Sequence, residues 1–184
     1  MRKSPILFMI TLSILSSLGL GLLGPIYPIF VVDNFSASLV DVGILSAVFS
    51  LVAALFKAPA GKLSDLYERE KIFFAGVIMS SICSLSYIFA LDLTQLYIIE
   101  FFFGISFALQ RPALLALMMG MSDKDKRGLF LGMFESVYDI AWAVAALLSG
   151  VIVSMFGFEL LFFMCSGFQA STGFFVLKSA KVSN

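Results

Sequence analysis

Ser4-Pro5-Ile6-Leu7-Phe8-Met9-Ile10-Thr11-Leu12-Ser13-Ile14-Leu15-Ser16-Ser17-Leu18-Gly19-Leu20-Gly21-Leu22-Leu23-Gly24-Pro25-Ile26-Tyr27-Pro28-Ile29-Phe30-Val31-Val32 carries no charge over 29 consecutive positions. A helix needs about 20 mostly apolar residues to cross the hydrocarbon core of a bilayer. Pro5 suits a first helical turn, where its missing N–H would have no partner anyway. The run is too long for a signal-peptide core, and no small-x-small cleavage site closes it, so it reads as a retained span. In lipid only helices or closed barrels satisfy the backbone, and this run is far too long for a barrel strand.

Working outward, five more apolar stretches follow: about 39–61, with Lys57 near its end; 72–91; 93–120, holding Glu100 and Arg111; 128–156, holding Glu135 and Asp139; and 160–177. The connections are short and carry turn residues: Asp33-Asn34 and Ser36, Ser122-Asp123, and Gly157. Counting the first as about 5–32, the expectation is an all-α membrane protein. It has six transmembrane helices in a single bundle over 1–184, with sequence neighbours antiparallel.

Composition agrees. The chain is 60% hydrophobic and 13% charged, with mean hydropathy +1.04, against about 45–50% and 25% in soluble domains. A domain of this size still exposes about 30% of its unfolded-chain surface; twelve acids and twelve bases do not cover it. An ordinary soluble enzyme, a disordered chain and a nucleic-acid binder are excluded, and the bilayer is the first partner. Histidine is absent, which removes Ser-His-Asp and Cys-His catalysis and His-ligated metals. Cys83 and Cys165 sit in apolar runs, form no CxxC pair and read as small buried or lipid-facing hydrophobes. No enzyme activity and no cofactor is expected.

Charge placement orients the chain. Arg2, Lys3, Lys62, Arg69, Lys71, Lys124, Lys126, Arg127, Lys178 and Lys181 fall in one set of segments; Asp33, Asp92 and Glu159 fall in the other connections, which hold no Lys or Arg. Basic loops stay cytoplasmic. Both termini are therefore expected in the cytoplasm of a multi-pass cell-membrane protein.

The segment Gly61-Lys62-Leu63-Ser64-Asp65-Leu66-Tyr67-Glu68-Arg69-Glu70-Lys71 resembles the Gly-x-Leu-x-Asp-Arg-x-Gly-Arg-Arg signature of the major facilitator superfamily, between helices 2 and 3. It matches at Gly61, Leu63, Asp65 and Arg69, and departs at Leu66, Glu68 and Glu70. Gly24-Pro25-Ile26-Tyr27-Pro28 resembles the outer half of the family's first helix. Glu100-Phe101-Phe102-Phe103-Gly104 stands at its fourth-helix Arg-x-x-x-Gly, with Glu in place of Arg, and Phe156-Gly157-Phe158 at its turn before helix 6. The antiporter Gly-Pro motif of helix 5 is absent; Ala145-Ala146 stand there.

The resemblance implies secondary transport by alternating access, with one six-helix half rocking against another around a midplane site. The family has twelve helices, so this chain reads as the N-terminal half, needing a second half in cis or as a homodimer. Each half is built of two inverted three-helix repeats. An 89-residue shift brings Gly43 onto Gly132 and Gly61 onto Gly150, consistent with that. The resemblance further implies a conformational loop motif at Gly61, Asp65, Arg69 and Arg127, in which Asp65 pairs with Arg69 or Arg127. A solvated loop charge is the plainer alternative.

Ionisable groups inside spans need a partner or an aqueous cavity. Lys57 can snorkel to the headgroups. Eleven residues bring Arg111 back to within about 20° of the face of Glu100, about 16 Å along the axis, with Gly104, Phe107 and Ala108 near that stripe. Glu135 and Asp139, four apart, share a face with Trp142. Counted from the turn at 121–127, Arg111 and Glu135 lie at matching depths. Arg111 is expected to pair with Glu135, or with Asp139 one turn deeper. Glu100, Arg111, Glu135, Asp139 and Trp142 form the expected substrate or proton path, with Asp139 the first proton-coupling candidate and Glu100 the second; the alternative is a pair that only neutralises charge. Gly19-Leu20-Gly21-Leu22-Leu23-Gly24 matches a dinucleotide glycine pattern, but follows no strand and reads as a close-packing site. The solute is small, with a lean toward amphiphilic compounds. The competing readings are a non-transporting six-helix scaffold and an inactive truncated remnant.

Overall fold

The computed structural model describes residues 5–122 and 124–180. Arg2, Lys3 and Lys181, used above for charge placement, and Asp123, read above as a turn residue, lie outside them. Among the described residues all regular structure is helical. The six α-helices are α1 (Pro5–Gly21), α2 (Tyr27–Phe35), α3 (Leu39–Leu66), α4 (Arg69–Ser86), α5 (Leu93–Met121) and α6 (Arg127–Ala180), with 3-10 turns at Tyr87–Phe89 and Lys124–Lys126.

The boundaries follow from local chemistry and differ in places from the sequence expectation. The uncharged run 5–32 is not one helix: it breaks between α1 and α2. Pro25 has no N–H to continue the ladder, and Tyr27 N–H reaches the Leu23 carbonyl at 2.9 Å across the break. Asp33 and Asn34 are the last turn of α2 rather than a loop, which ends instead at Ser36 in a left-handed conformation (φ 50°). Ser38 and Asp41 start α3 with a reciprocal capping box, and Asp92 caps α5 by accepting from the Gln95 N–H at 2.9 Å. α3 runs on to Leu66, beyond the expected end near Gly61. α6 contains the expected turn: Gly157 has φ 80° and ψ 178°, a conformation open to glycine, which divides it into arms 127–156 and 158–180.

Among the described residues four helical stretches are long and apolar enough to cross a membrane: Leu39–Leu66, Arg69–Phe89, Leu93–Met121 and Arg127–Ser179. Between apolar helices in lipid, small residues and hydrogen bonds hold the packing. The Ser13 hydroxyl donates to the Phe134 carbonyl at 3.2 Å and Ser17 to Tyr138 at 2.6 Å. Both serines advance together with their acceptors, so α1 and the first arm of α6 run parallel. Across from them α5 lies on α3, with the Gly104 Cα so close to Phe49 that an added Cβ would sit 2.7 Å from the Phe49 carbonyl oxygen.

α4 crosses the second arm of α6 antiparallel. Gly173 meets Phe74 and Val77, Ser80 donates to Gln169 Oε1 at 2.7 Å, and Ser81 meets Ser166 at 2.7 Å. Ser80 and Gln169 are 89 residues apart. The shift that superimposes the glycines of the two chain halves thus joins two residues across the α4–α6 contact, where a two-fold axis relating the halves would pass. Gly43, Gly61, Gly132 and Gly150 all face open space.

The interior has two layers. One gathers Leu22, Phe30, Tyr87, Leu96, Phe103 and Phe162; the other gathers Met9, Leu12, Phe73, Met118, Phe134 and Val176. The first layer lies toward Asp33, Asp92 and Glu159. The second lies toward the basic connections.

Candidate functional site

α5 and the first arm of α6 bring the ionisable groups of the spans together. Arg111 Nη2 donates to Glu135 Oε1 at 3.0 Å. This is the partner that equal depth about the 121–127 turn selects; Asp139 is not the partner. Both side chains are about one-third exposed (32% and 35%), so the pair is neither sealed in the core nor free at the surface. One turn on, Asp139 is exposed, and among the described residues it makes no hydrogen bond or ion pair. One face of α6 therefore carries a neutralised carboxylate and, beside it, an unpaired one.

Tyr138 belongs to this group and the sequence reading passed over it. It lies within electrostatic reach of Arg111, Glu135 and Asp139. Its ring stacks on Trp142 (centroids 6.3 Å, 25°). The signal was its spacing, three after Glu135 and four before Trp142. Trp142 itself is turned toward α1: a Cβ on Gly24 would lie 2.7 Å from its Cζ2, and one on Gly21 3.2 Å from its Cα. The glycine pattern at 19–24 therefore serves close packing.

Glu100 does not share the exposure of Arg111. It is 4% exposed and accepts a hydrogen bond from the Tyr87 hydroxyl at 2.7 Å. Tyr27 stacks obliquely on Tyr87 at 5.3 Å and lies half-buried against the core. The helical stripe joining Glu100 to Arg111 has a buried end and an open end. Lys57 is exposed, and its Nζ lies 5.4 Å from the Phe107 ring centroid, a cation–π contact.

The loop motif is rearranged. Arg69 donates from Nη1 to the Ala116 carbonyl at 3.0 Å, near the C-terminal end of α5, where the helix dipole attracts a cation. Asp65 and Arg127 are exposed, and neither forms an ion pair within the described residues. The expected Asp65–Arg69 and Asp65–Arg127 contacts are thus absent. The reason is the extra length of α3: the chain turns in the extended Tyr67 and Glu68, and Arg69 enters α4 pointing at α5. Glu68 and Lys71 pair at 2.9 Å with both side chains well exposed, a contact worth under about 1 kcal/mol. The Arg69 contact also places the 67–68 connection at the same end of the bundle as the end of α5. At the opposite end, a cavity is lined together by Asn34, Leu91 and Glu159, so the acidic connections converge there. Among the described residues no three metal-ligating side chains cluster.

Residues 9–182 match the Major Facilitator Superfamily. The chain belongs to this family. Similar proteins include an uncharacterized MFS-type transporter of Methanocaldococcus jannaschii, 24% identical over 80% of this chain and 38% of its own length. The niacin transporter of Acinetobacter baylyi is 25% identical over 83% of this chain and 34% of its own length. Multidrug resistance protein 2 of Bacillus subtilis is 26% identical over 95% and 44%. The chain thus spans about two fifths or less of the length of the first of these major facilitator relatives. The family consists of transporters, not enzymes, and the chain's apolar helices suit a multi-pass membrane protein.

Proposed function

We propose that this chain is one six-helix half of a secondary transporter that moves a small solute by alternating access, coupled to protons. The observation that carries the reading is the Arg111–Glu135 ion pair within apolar helices, with Asp139 exposed and unpaired one turn away. A charge at such depth is costly unless it is paired or faces water. Arg111 and Glu135 have each other. Asp139 then faces an aqueous path, where it takes up and releases the proton, while Arg111 exchanges between Glu135 and polar groups of the solute. Tyr138 and Trp142 give that path an aromatic wall.

In this proposal the membrane is crossed six times: α1 and α2 form one broken span, and the two arms of α6 form two. Both termini lie in the cytoplasm, in line with the basic connections at one end and Asp33, Asp92 and Glu159 at the other. The second six-helix half is supplied in cis or by a second copy, and α3 and the first arm of α6, with their open glycine faces, are the surfaces for it. The names of the niacin transporter and multidrug resistance protein 2 fit a small organic solute.

The test uses the whole transporter that contains this chain, reconstituted in proteoliposomes with a pH-sensitive dye inside. Solute-dependent proton flux supports the reading, provided that Asp139→Asn abolishes it while binding of the solute persists. Proton flux unchanged in Asp139→Asn contradicts the coupling role, and no flux with any solute, in either pairing, contradicts transport.

A further inference from the structure

Lys57 is a cation inside a span with no carboxylate to answer it: it is exposed and forms no ion pair within the described residues. It stands well inside α3, which runs on to Leu66, and a charge at such a position is costly unless water or a ligand meets it. Its depth is close to that of Arg111. α3 and α5 touch where Gly104 meets Phe49 and Val52. Further along both helices Lys57 Nζ reaches Phe107, so the two run in the same direction. Counted on from Val52 and from Gly104, at about 1.5 Å per residue, Lys57 and Arg111 stand within about 3 Å of one level. Phe107 serves both. Lys57 Nζ lies 5.4 Å from its centroid, and Arg111 follows it by one turn on the same face of α5. The Phe107 ring is only half-buried, with Phe49 bordering it at 5.5 Å. Arg111 engages Glu135 through Nη2 alone, which leaves the other donors of its fork without an acceptor among the described residues.

With this region as the solute path proposed above, we propose that the solute is a monovalent aromatic carboxylate, its carboxylate held by Lys57 and Arg111 and its ring against Phe107. Charge selects the class. When Asp139 carries its proton, Lys57, Arg111 and Glu135 leave one positive charge, which one carboxylate answers. A cation adds a third positive charge at this level, a neutral solute leaves Lys57 unanswered, and a phosphate dianion oversteps the balance. The two oxygens of a carboxylate fit the donors of a guanidinium side by side, and the Lys57 ammonium adds a point charge. A cation–π contact at an exposed position is weak, so Lys57 is free to turn from the Phe107 ring to an anion. The half-open ring then receives the aromatic part of the solute, since aromatic pairs gain beyond the burial of their area.

The experiment measures binding to the whole transporter that contains this chain, in nanodiscs of zwitterionic lipid with empty discs subtracted, by equilibrium dialysis. The probes are benzoate and its neutral isostere benzamide. The expected result is saturable benzoate binding, with benzamide weaker by about tenfold or more. Lys57→Gln should weaken benzoate by about tenfold and leave benzamide unchanged, while Lys57→Arg, which keeps the charge, retains most of the affinity. Benzoate binding should hold or tighten in Asp139→Asn, which removes a negative charge from the site. Absence of saturable benzoate binding, equal binding of the two probes, or unchanged benzoate affinity in Lys57→Gln overturns the anion site. Because Lys57 is exposed and touches only the edge of the packing at Phe107, its variants keep the fold, and their benzamide affinity reports it. Binding is read without transport, so the two readings fail separately. Benzoate bound as expected with no proton flux contradicts the coupling alone; proton flux with another solute and no benzoate binding overturns the aromatic carboxylate alone.

Discussion

Glu135→Gln leaves the Arg111 guanidinium without its ionised partner inside the span. A charged group losing its partner costs about 1–3 kcal/mol, and the partial exposure of this pair favours the lower end. Unfolding in mixed micelles is expected to show that loss for the single variant and a smaller one for Arg111→Gln with Glu135→Gln together. Additive losses would mean that the two side chains do not interact. Asp139→Asn, which breaks no contact among the described residues, should change stability by less than about 0.5 kcal/mol in the same assay; a larger loss would show a structural role. The difference between these residues explains what the sequence disclosed. Arg111 and Glu135 flank one short turn, so their depths follow from counting residues in a helical hairpin. Asp65 and Arg69 were not legible in this way. Their contact depends on where α3 stops, and five extra helical residues sent Arg69 to the Ala116 carbonyl instead. Glu100 and Arg111 share a stripe by rotation alone, but their partners come from elsewhere in the chain, Tyr87 of the 3-10 turn for Glu100 and Glu135 of α6 for Arg111.

The helices themselves were visible as charge-free lengths, and their contacts were not. Which glycines touch another helix is set by crossing geometry: Gly104 backs onto α3, whereas Gly150 faces open space, although both occur in similar apolar sequence. Gly104→Ala puts a methyl 2.7 Å from the Phe49 carbonyl oxygen, which a backbone does not yield easily, and should destabilise the bundle by about 1–3 kcal/mol. Gly150→Ala meets nothing within the chain and, by its better helix propensity, should leave the isolated bundle unchanged or slightly more stable, by up to about 1 kcal/mol. Thermal unfolding of the two variants side by side separates the cases; equal effects would contradict the α3–α5 packing. The break between α1 and α2 had a signal in Pro25 and Pro28, but an uncharged run outweighed it when length alone was counted. Tyr27, just past that break, lies against Tyr87 as a result.

At the scale of the whole molecule, the bundle sorts its charge by end and its polar intramembrane groups by face. The Arg69 contact joins the basic connections at one end, and the cavity beside Glu159 joins the acidic ones at the other. The 89-residue shift between glycine pairs is also the separation of Ser80 and Gln169, which meet in a hydrogen bond between α4 and α6. In the proposed mechanism Asp139 faces a water-filled path and not lipid or a packed interface. The most direct test of this is thiol reactivity in native membranes. In a Cys83→Ser, Cys165→Ser background, Asp139→Cys and Leu147→Cys are exposed to a small, water-soluble cationic methanethiosulfonate reagent, Leu147 being an exposed apolar residue of the same helix (75%). Labelling of Asp139→Cys is expected to be at least about tenfold faster than that of Leu147→Cys, since the charged reagent reaches only wetted positions. Equal rates at the two positions would contradict it.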